Sequence, residues 1–264
     1  MTRKVTLSPS DVIISNMDVL DRFASLVRSA RKGVAFTGAG ISTESGIPDF
    51  RSPGGIWSQY TPVLYDDFMS SRNERVRGWK LGAAMFRECA RARPNEGHKV
   101  IAELERRGHI TAVVTQNVDG LHHDAGSGNI IELHGTNRIV ACQVCGKQWP
   151  TPVIVARWEQ GDEAPDCDAC GGPLKTGTVS FGQAMPEREM RRASAVTKEA
   201  DLYVAIGSSL VVEPAASFPR IAKRAGANLV ILNNSPTPLD EFADLVVNDQ
   251  IGKTMQELLW RLDR

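Results

Sequence analysis

The chain has 264 residues, long for one average domain and short for two full ones, so a single large core with a small appended module is expected. Lys plus Arg is 31 and Asp plus Glu is 31; the zero net charge argues against a nucleic-acid partner, which calls for a basic excess. No stretch approaches the ~20 apolar residues of a membrane span. Ser8, Pro9, Ser10 and Asp11 interrupt any secretory leader, so a cytoplasmic protein is expected.

In chain order, residues 1–16 show no period and read as an N-terminal arm. Val19, Phe23, Leu26, Val27 and Ala30 recur at helical spacing, and Gly33 ends that helix. Val34-Ala35-Phe36-Thr37 reads as a buried strand. A Pro-, Gly- and Ser-rich loop precedes a helix near 74–91, in which Cys89 reads as a small buried filler and Arg87, Arg91 and Arg93 as a solvated cluster. Pro94 starts the next helix, with Val100, Ile101 and Leu104 on one side. Further strands are predicted at 111–115, 202–206, 229–232 and 245–247. Helices near 187–199 and 215–225, and a closing amphipathic helix through Met255, Leu258, Leu259 and Leu262, separate or follow them. Buried strands alternating with helices imply an α/β fold, a Rossmann-like doubly wound parallel sheet.

Residues 138–182 break this rhythm and form the predicted small domain, inserted between 17–137 and 183–264. They hold four of the five cysteines, as Cys142-x-x-Cys145 and Cys167-x-x-Cys170 with 21 residues between the pairs. Two such turns complete a tetrahedron of thiolates around zinc, giving a zinc ribbon. In a reducing compartment thiols stay reduced, which favours metal over disulfide. Four thiolates leave no open position for water, so the expected single ion is structural.

Polar turns end four of the strands. Gly38-Ala39-Gly40 follows 34–37, with Thr43 in place of the third glycine of a dinucleotide fingerprint. It reads equally as a pyrophosphate loop or as a mere tight turn. Gly207-Ser208-Ser209 and Asn233-Asn234-Ser235 end the strands at 202–206 and 229–232, where open α/β sheets bind ligands. Gln116-Asn117-Val118-Asp119 ends 111–115. His122 and His123 read as a helix cap or as solvent-facing, whereas His134 is a candidate general base. Asp49-Phe50-Arg51 is a further candidate, or an ordinary Pro-initiated turn.

Taken together, these motifs resemble the sirtuin family of NAD-dependent protein deacylases from about residue 30 to 252. The carriers are Gly38-Ala39-Gly40-Ile41-Ser42, Gly46-Ile47-Pro48-Asp49-Phe50-Arg51-Ser52, Thr115-Gln116-Asn117-Val118-Asp119, Glu132-Leu133-His134-Gly135, the cysteine pairs, and Gly207-Ser208-Ser209-Leu210 with Val212 and Pro214. The resemblance implies transfer of the acyl group from lysine to ADP-ribose, with release of nicotinamide and O-acyl-ADP-ribose. It implies His134 as general base and Asn117 positioning water or ribose. Cofactor contacts are implied at Gly38, Ala39, Gly40, Thr43, Asp49, Phe50, Arg51, Gln116, Asn117, Val118, Asp119, Gly207, Ser208, Ser209, Asn233, Gln250 and Ile251. An acyl-lysine peptide is implied at Val179, Phe181, Gly182 and Val212. Two other readings stand beside it: an NAD-dependent protein mono-ADP-ribosyltransferase, and a non-catalytic NAD-sensing zinc-ribbon module.

The chain departs from the family at Gln183, where Phe-Gly-Glu is usual, and at Ser180, where a large apolar residue is common. Gly82 and Met85 align where removers of acidic acyl groups carry Tyr and Arg, which disfavours succinyl-lysine. Met85 and Phe86 are instead candidates for lining an apolar acyl channel.

Overall fold

The computed structural model describes residues 19–264, so the expectations for residues 1–16 lie outside the described residues. In chain order the elements are α1 (Val19–Ser29), β1 (Gly33–Thr37), a 3-10 turn (Ala39–Ser45), α2 (Ile56–Gln59), α3 (Tyr65–Ser70), α4 (Arg72–Arg91), α5 (Glu96–Arg106), β2 (Ile110–Thr115), α6 (Leu121–Asp124) and β3 (Ile130–Glu132). There follow β4 (Gly135–Cys142), β5 (Gln148–Pro150), α7 (Thr151–Glu159), β6 (Leu174–Thr178), α8 (Glu187–Glu199), β7 (Leu202–Ile206), α9 (Phe218–Arg224), β8 (Asn228–Leu232), β9 (Leu245–Val247) and α10 (Ile251–Leu262). Among the described residues no helix is long and apolar enough to cross a membrane.

Six parallel strands form the large sheet in the order β3-β2-β1-β7-β8-β9. β1 and β7 are buried along their whole length, which is why they read as apolar runs without alternation. Each face of the sheet carries its own core. On one face α1, α5 and α10 contribute Phe23, Val27, Val100, Leu104, Met255 and Leu258. On the other, α8 and α9 contribute Ala193, Phe218 and Ala222 against Phe36, Tyr203 and Ile231. This is the doubly wound architecture. The chain runs outward from β1 through β2 to β3, then returns to β7 beside β1. The junction of β1 and β7 is therefore the topological switch point, where such sheets place their ligand crevice.

The second sheet is antiparallel, in the order β5-β4-β6, and packs with α7 around Val140, Cys142, Ile154, Cys167 and Leu174. It carries the four paired cysteines, and so forms the small zinc-ribbon module. α4 packs on the small sheet and on α7. Ser71 caps its start by accepting the Glu74 amide, two residues earlier than periodicity alone suggested. Trp79 is 2% exposed and donates its indole N–H to the Leu174 carbonyl at 2.9 Å. The side of Gly82 that lacks a Cβ faces the Thr176 methyl. Phe86, a candidate for an apolar acyl channel, is half-buried and packs on the ribbon core.

Trp79 offers a direct test of this joint. Trp79→Ala removes a fully buried ring and should cost about 3–5 kcal/mol. Trp79→Phe keeps most of the volume but strands the Leu174 carbonyl, for about 1–2 kcal/mol. Urea titrations of the two variants read both values, and a Trp79→Phe variant as stable as the wild type would remove the hydrogen bond from the account.

Candidate active site

Two glycine turns meet at the switch point. Gly38 donates its N–H to Ile206 O at 3.0 Å, and Gly40 donates to Gly207 O at 2.8 Å. A Cβ on Gly38 or Gly40 would lie 2.8 Å from Gly207 O, and one on Gly207 (φ +62°) would lie 2.3 Å from the Ile41 nitrogen. The glycines are thus demanded by backbone packing between β1 and β7, an origin distinct from the close approach of a pyrophosphate. The 3-10 turn that follows is tied to α5. The Asn95 side chain caps α5 by accepting from Gly97 N at 2.9 Å, and donates back to Ile41 O at 2.7 Å and Ser45 Oγ at 2.9 Å. Thr43 is exposed and donates its hydroxyl to Gly40 O.

The end of β2 supplies the densest polar cluster. Gln116 Nε2 donates to Ser208 Oγ at 2.8 Å, linking β2 to the turn after β7. Asn117 is buried, and its Nδ2 donates to Gly38 O at 3.1 Å and Ser42 Oγ at 3.2 Å. Ser42 donates in turn to Asp119 Oδ2 at 2.7 Å, while Asp119 Oδ1 accepts the Leu121 amide. The Val118 carbonyl accepts the Asn137 amide. Below this layer lie two buried histidines, with His98 Nε2 3.5 Å from Ser42 Oγ and His122 Nε2 2.9 Å from Thr37 Oγ1. Their rings are 4.9 Å apart.

His122 corrects an expectation. It neither caps a helix nor faces water; α6 turns Leu121 and His122 inward, and His122 is 2% exposed. His123, by contrast, is exposed beside Glu132. Burial lowers the His98 pKa to about 4, opposed by the Asp119 charge, and lowers that of His122 well below its ordinary value, aided by the charges of His98 and His123. Cys89 is half-buried beside Ile47, Ala92 and Leu121. Burial, then the Asp119 charge, pushes its thiol up to about 11, so it is not a nucleophile near neutrality.

His134 stands at the joint of the two sheets. Its Nδ1 lies 2.9 Å from the Gln116 carbonyl, which can only accept. Nδ1 therefore carries the proton and Nε2 the free lone pair. Burial lowers its pKa, partly offset by that bond, so the ring is neutral at pH 7. Its own carbonyl accepts the Val179 amide at 2.8 Å. Beyond Val179 the chain turns through Phe181 and Gly182 (φ +82°). There Gln183 Oε1 accepts the Ser180 amide at 3.0 Å. An amide oxygen serves this turn as a carboxylate would, so Gln183 keeps the acceptor that the usual glutamate offers.

The remaining candidates lie around the same rim. Asp49 accepts from the Arg51 and Ser52 amides and the Ser52 hydroxyl. Burial alone would raise its carboxyl, but these bonds and the Arg51 charge outweigh it and hold the carboxyl below its usual range. Phe50 stacks on Trp57, and Trp57 on Phe181. Ser209 and Gln250 are exposed, and Val212 is half-buried. Asn233 follows β8 and donates Nδ2 to Ser235 O. The Ile251 side chain is 5% exposed within the core, which leaves its backbone as the part able to meet a ligand.

Away from the crevice, the four paired cysteines bring their sulfurs within 4.8 Å of one another. Cys142 Sγ lies 3.5 Å from Cys170 Sγ, and Cys145 Sγ 3.7 Å from Cys167 Sγ. A disulfide needs ~2.05 Å. Zinc–sulfur bonds of ~2.3 Å in a tetrahedron set sulfurs about 3.8 Å apart, and the observed spacing matches that. Amides of Val144, Cys145 and Ala169 donate to Cys142 and Cys167 Sγ. The set fits one zinc ion held by thiolates alone.

The family model described as Sir2 family matches residues 38–214. The chain belongs to the Sir2 family. An NAD-dependent protein deacetylase 1 of Bradyrhizobium diazoefficiens is 49% identical over 89% of this chain and 93% of its own length. An NAD-dependent protein deacetylase of Rhodopseudomonas palustris is 46% identical over 89% and 94%. Among solved structures, a Sir2 enzyme with a deacetylated p53 peptide and 3′-O-acetyl-ADP-ribose superposes with a TM-score of 0.86 at 37% identity, covering 91% of this chain and 97% of its own. A Sir2 complex with a p53 peptide and NAD gives 0.84 at 36% identity, covering 92% and 98%.

In this Sir2 chain Ser42, Asn95, His98 and Trp57 join the site beyond the residues expected from sequence. Ser42 lay within a quoted motif. Asn95 and His98 carried the i, i+3 signal of a capped helix start, which gives no hint of a second partner across the site.

Two measurements follow. Metal analysis should find one zinc per chain, and Cys145→Ser should lower that occupancy and the melting temperature together; full occupancy in the variant would exclude Cys145 as a ligand. The buried histidines set a pH dependence. Folded, His98 and His122 bind fewer protons than unfolded histidine below pH 6.5, so stability falls as pH drops below that value. His122→Gln should flatten the fall in melting temperature between pH 6.5 and 5. Unchanged slope would clear His122 of that role.

Proposed function

We propose that this chain is an NAD-dependent protein lysine deacetylase, moving the acyl group of a modified lysine onto ADP-ribose. The observation that carries the reading is His134, a neutral imidazole with Nδ1 tied to the Gln116 carbonyl and Nε2 free, at the rim of a switch-point crevice lined by Asn117, Asp119 and Ser208. The named activity of the Bradyrhizobium and Rhodopseudomonas relatives supports it.

NAD, when bound, supplies the ADP-ribosyl acceptor and the nicotinamide that leaves. The roles on the protein are those the family resemblance implies, and the hydrogen bonds among the site residues support them. Asp119, oriented by Ser42 and the Leu121 amide, accepts hydrogen bonds from the carboxamide of the leaving base. Asn117, held by Gly38 O and Ser42, positions ribose or water with its remaining acceptor oxygen. Exposed Ser209, with the Ser208 hydroxyl beside it in the turn after β7, meets phosphate. Asn233 and the backbone at Gln250 and Ile251 meet the adenine-side ribose and base. Arg51 and Phe50 close over the cofactor from the 46–65 loop. His134 Nε2 takes a proton from a ribose hydroxyl, making that oxygen a nucleophile toward the acyl carbon.

The peptide lies along Val179, Phe181 and Gly182 on one side and Val212 on the other. We assign residues 135–182, with α3 and α4 packed on them, to the small domain and the remainder of the fold to the NAD-binding domain, since the expected boundary at 138 falls inside β4. The four-thiolate site belongs with a reducing, cytoplasmic setting.

Incubation with NAD and an acetyl-lysine peptide should release nicotinamide and lower the peptide mass by one acetyl group. Gain of an ADP-ribosyl mass on unmodified peptide would replace the reading with the transferase, and NAD binding without turnover on any acyl peptide with a non-catalytic module. His134→Ala should lower kcat about 10²- to 10⁴-fold. Because the neutral ring is the active form and burial lowers its pKa, the acid limb of the wild-type kcat/KM profile should have its midpoint below 6.5.

A further inference from the structure

Lys175 is a cation buried in the small sheet. It lies in β6, at the sheet's edge, and is 4% exposed. Lysine is almost never buried this deeply without a partner. Burial lowers its pKa to about 8, so at pH 7 the amine keeps its proton. A methionine would fill similar space without the desolvation of an ion. What the ammonium bonds is therefore the reason for its presence.

Its bonds go to main-chain carbonyls of its own strand. Nζ donates to Thr176 O at 3.4 Å and to Thr178 O. On the side of β6 that faces β4, Pro173 O accepts from Gln143 N at 3.0 Å, and Val179 N donates to His134 O at 2.8 Å. Main-chain groups alternate in direction along a strand, so the Thr176 and Thr178 carbonyls point the other way, along the open edge. An edge carbonyl shielded from water needs a donor, and Lys175 supplies one. The second bond reaches the site. The Thr178 carbonyl and the Val179 N–H belong to one planar peptide group. Lys175 holds the oxygen of that group and His134 O holds its N–H. Strand pairing gives little help at this point, because the β4–β6 ladder shifts register between Gly135, opposite Thr178, and Val140.

We propose that Lys175 is a positioning residue for the acyl-lysine peptide, clamping the Thr178–Val179 peptide group so that the edge from Val179 to Gly182 stands in fixed register with His134. A planar group held at both ends cannot rotate without breaking one of the two bonds. The peptide then meets an edge whose direction is already set, and less ordering is left for binding to bring about. Lys175 acts through the main chain, by way of the same peptide group that ties this edge to the backbone of the general base. The inference rests on the placement of the peptide under Proposed function.

Lys175→Met keeps the length of the side chain and removes its donors. In the zinc-loaded protein, KM for an acetyl-lysine peptide should rise about 5- to 20-fold, the weight of one charge-assisted hydrogen bond, with kcat within about 2-fold of wild type. The dissociation constant of ADP-ribose should not change. Amide hydrogen exchange followed by NMR gives a readout that needs no turnover, and Val179 N–H should exchange about 10-fold faster in the variant. Lys175→Arg, which keeps a charged donor, should recover most of the wild-type KM. Wild-type KM and Val179 exchange in Lys175→Met overturn the proposal. Losses in kcat and in ADP-ribose affinity as large as the loss in KM would mark a general loosening, and overturn it too. If Lys175→Met does not fold, Lys175→Gln, with a shorter and uncharged donor, is judged by the same criteria. A wild type that deacetylates no peptide overturns the functional reading, and the role of Lys175 with it. An active wild type beside an unchanged variant overturns the role of Lys175 alone.

Discussion

The contact on which the site depends is the backbone-to-backbone packing of two turns between β1 and β7. Gly40 N–H bonds the Gly207 carbonyl, and no side chain fits between the turns at Gly38, Gly40 or Gly207. Their closeness fixes where Ser42 and Ser208 stand. Those two hydroxyls then hold the polar end of β2, Ser208 through Gln116 and Ser42 through Asn117 and Asp119. A bulkier residue in either turn would separate the strand ends and dissolve the whole cluster, whatever polar groups remained. Preorganisation of this kind keeps charged and polar groups aimed without reorganisation during reaction.

The layer beneath has a different task. Asp119 keeps one oxygen on Ser42 and one on the Leu121 amide, so its charge is oriented from two directions. His98 and His122 fill the space below as neutral rings, bonded to hydroxyls and to Asn95 rather than to carboxylates. Larger apolar residues could fill that volume, but they would leave Thr37 and Ser42 without a partner on that side, a loss that burial makes costly. The histidines thus combine packing with hydrogen bonding in a floor that holds no competing charge at neutral pH.

How much of this was legible in the sequence varied with the range of the determining interaction. β1, β2, β7 and β8 read directly as short apolar runs ended by polar turns, because strands buried on both faces need no alternation. The zinc cluster was legible because its two local spacings carry the geometry. His122 was misread because a four-residue helix has no periodicity to reveal which side faces inward. The helix start was read at Pro94, whereas Asn95 caps it, and the Asn95 bonds to Ile41 and Ser45 span 50 residues or more and leave no local trace. The glycine turns were recognised as sites needing glycine, yet the steric reason lay in the partner turn, 167 residues away in sequence at Gly40 and Gly207. The packing of Phe86 on the ribbon core left no local trace either, since nothing beside it in sequence shows which face α4 turns to the ribbon.

The position of His134 explains why a metal centre outside the crevice matters to it. Leu133 is buried in the core of the large sheet, and Gly135 opens β4 of the small one. His134 therefore hangs between two sheets. Its ring is oriented by Gln116 of the large sheet, while its carbonyl takes the Val179 amide just beyond β6. Gly135, at φ +72°, passes so close to the Gly177 carbonyl that a Cβ would lie 2.0 Å from it, which fixes β4 against β6 at this point. The cysteines lie toward the other end of the same strand pair, where Cys142 pairs with Leu174, and Trp79 grips Leu174 from α4. Loosening the thiolate cluster would free the far end of β4 and β6, and the slack would reach the imidazole through covalent backbone and two paired strands. A closed metal site can in this way govern a proton-transfer group without supplying a ligand, a water or a charge to it.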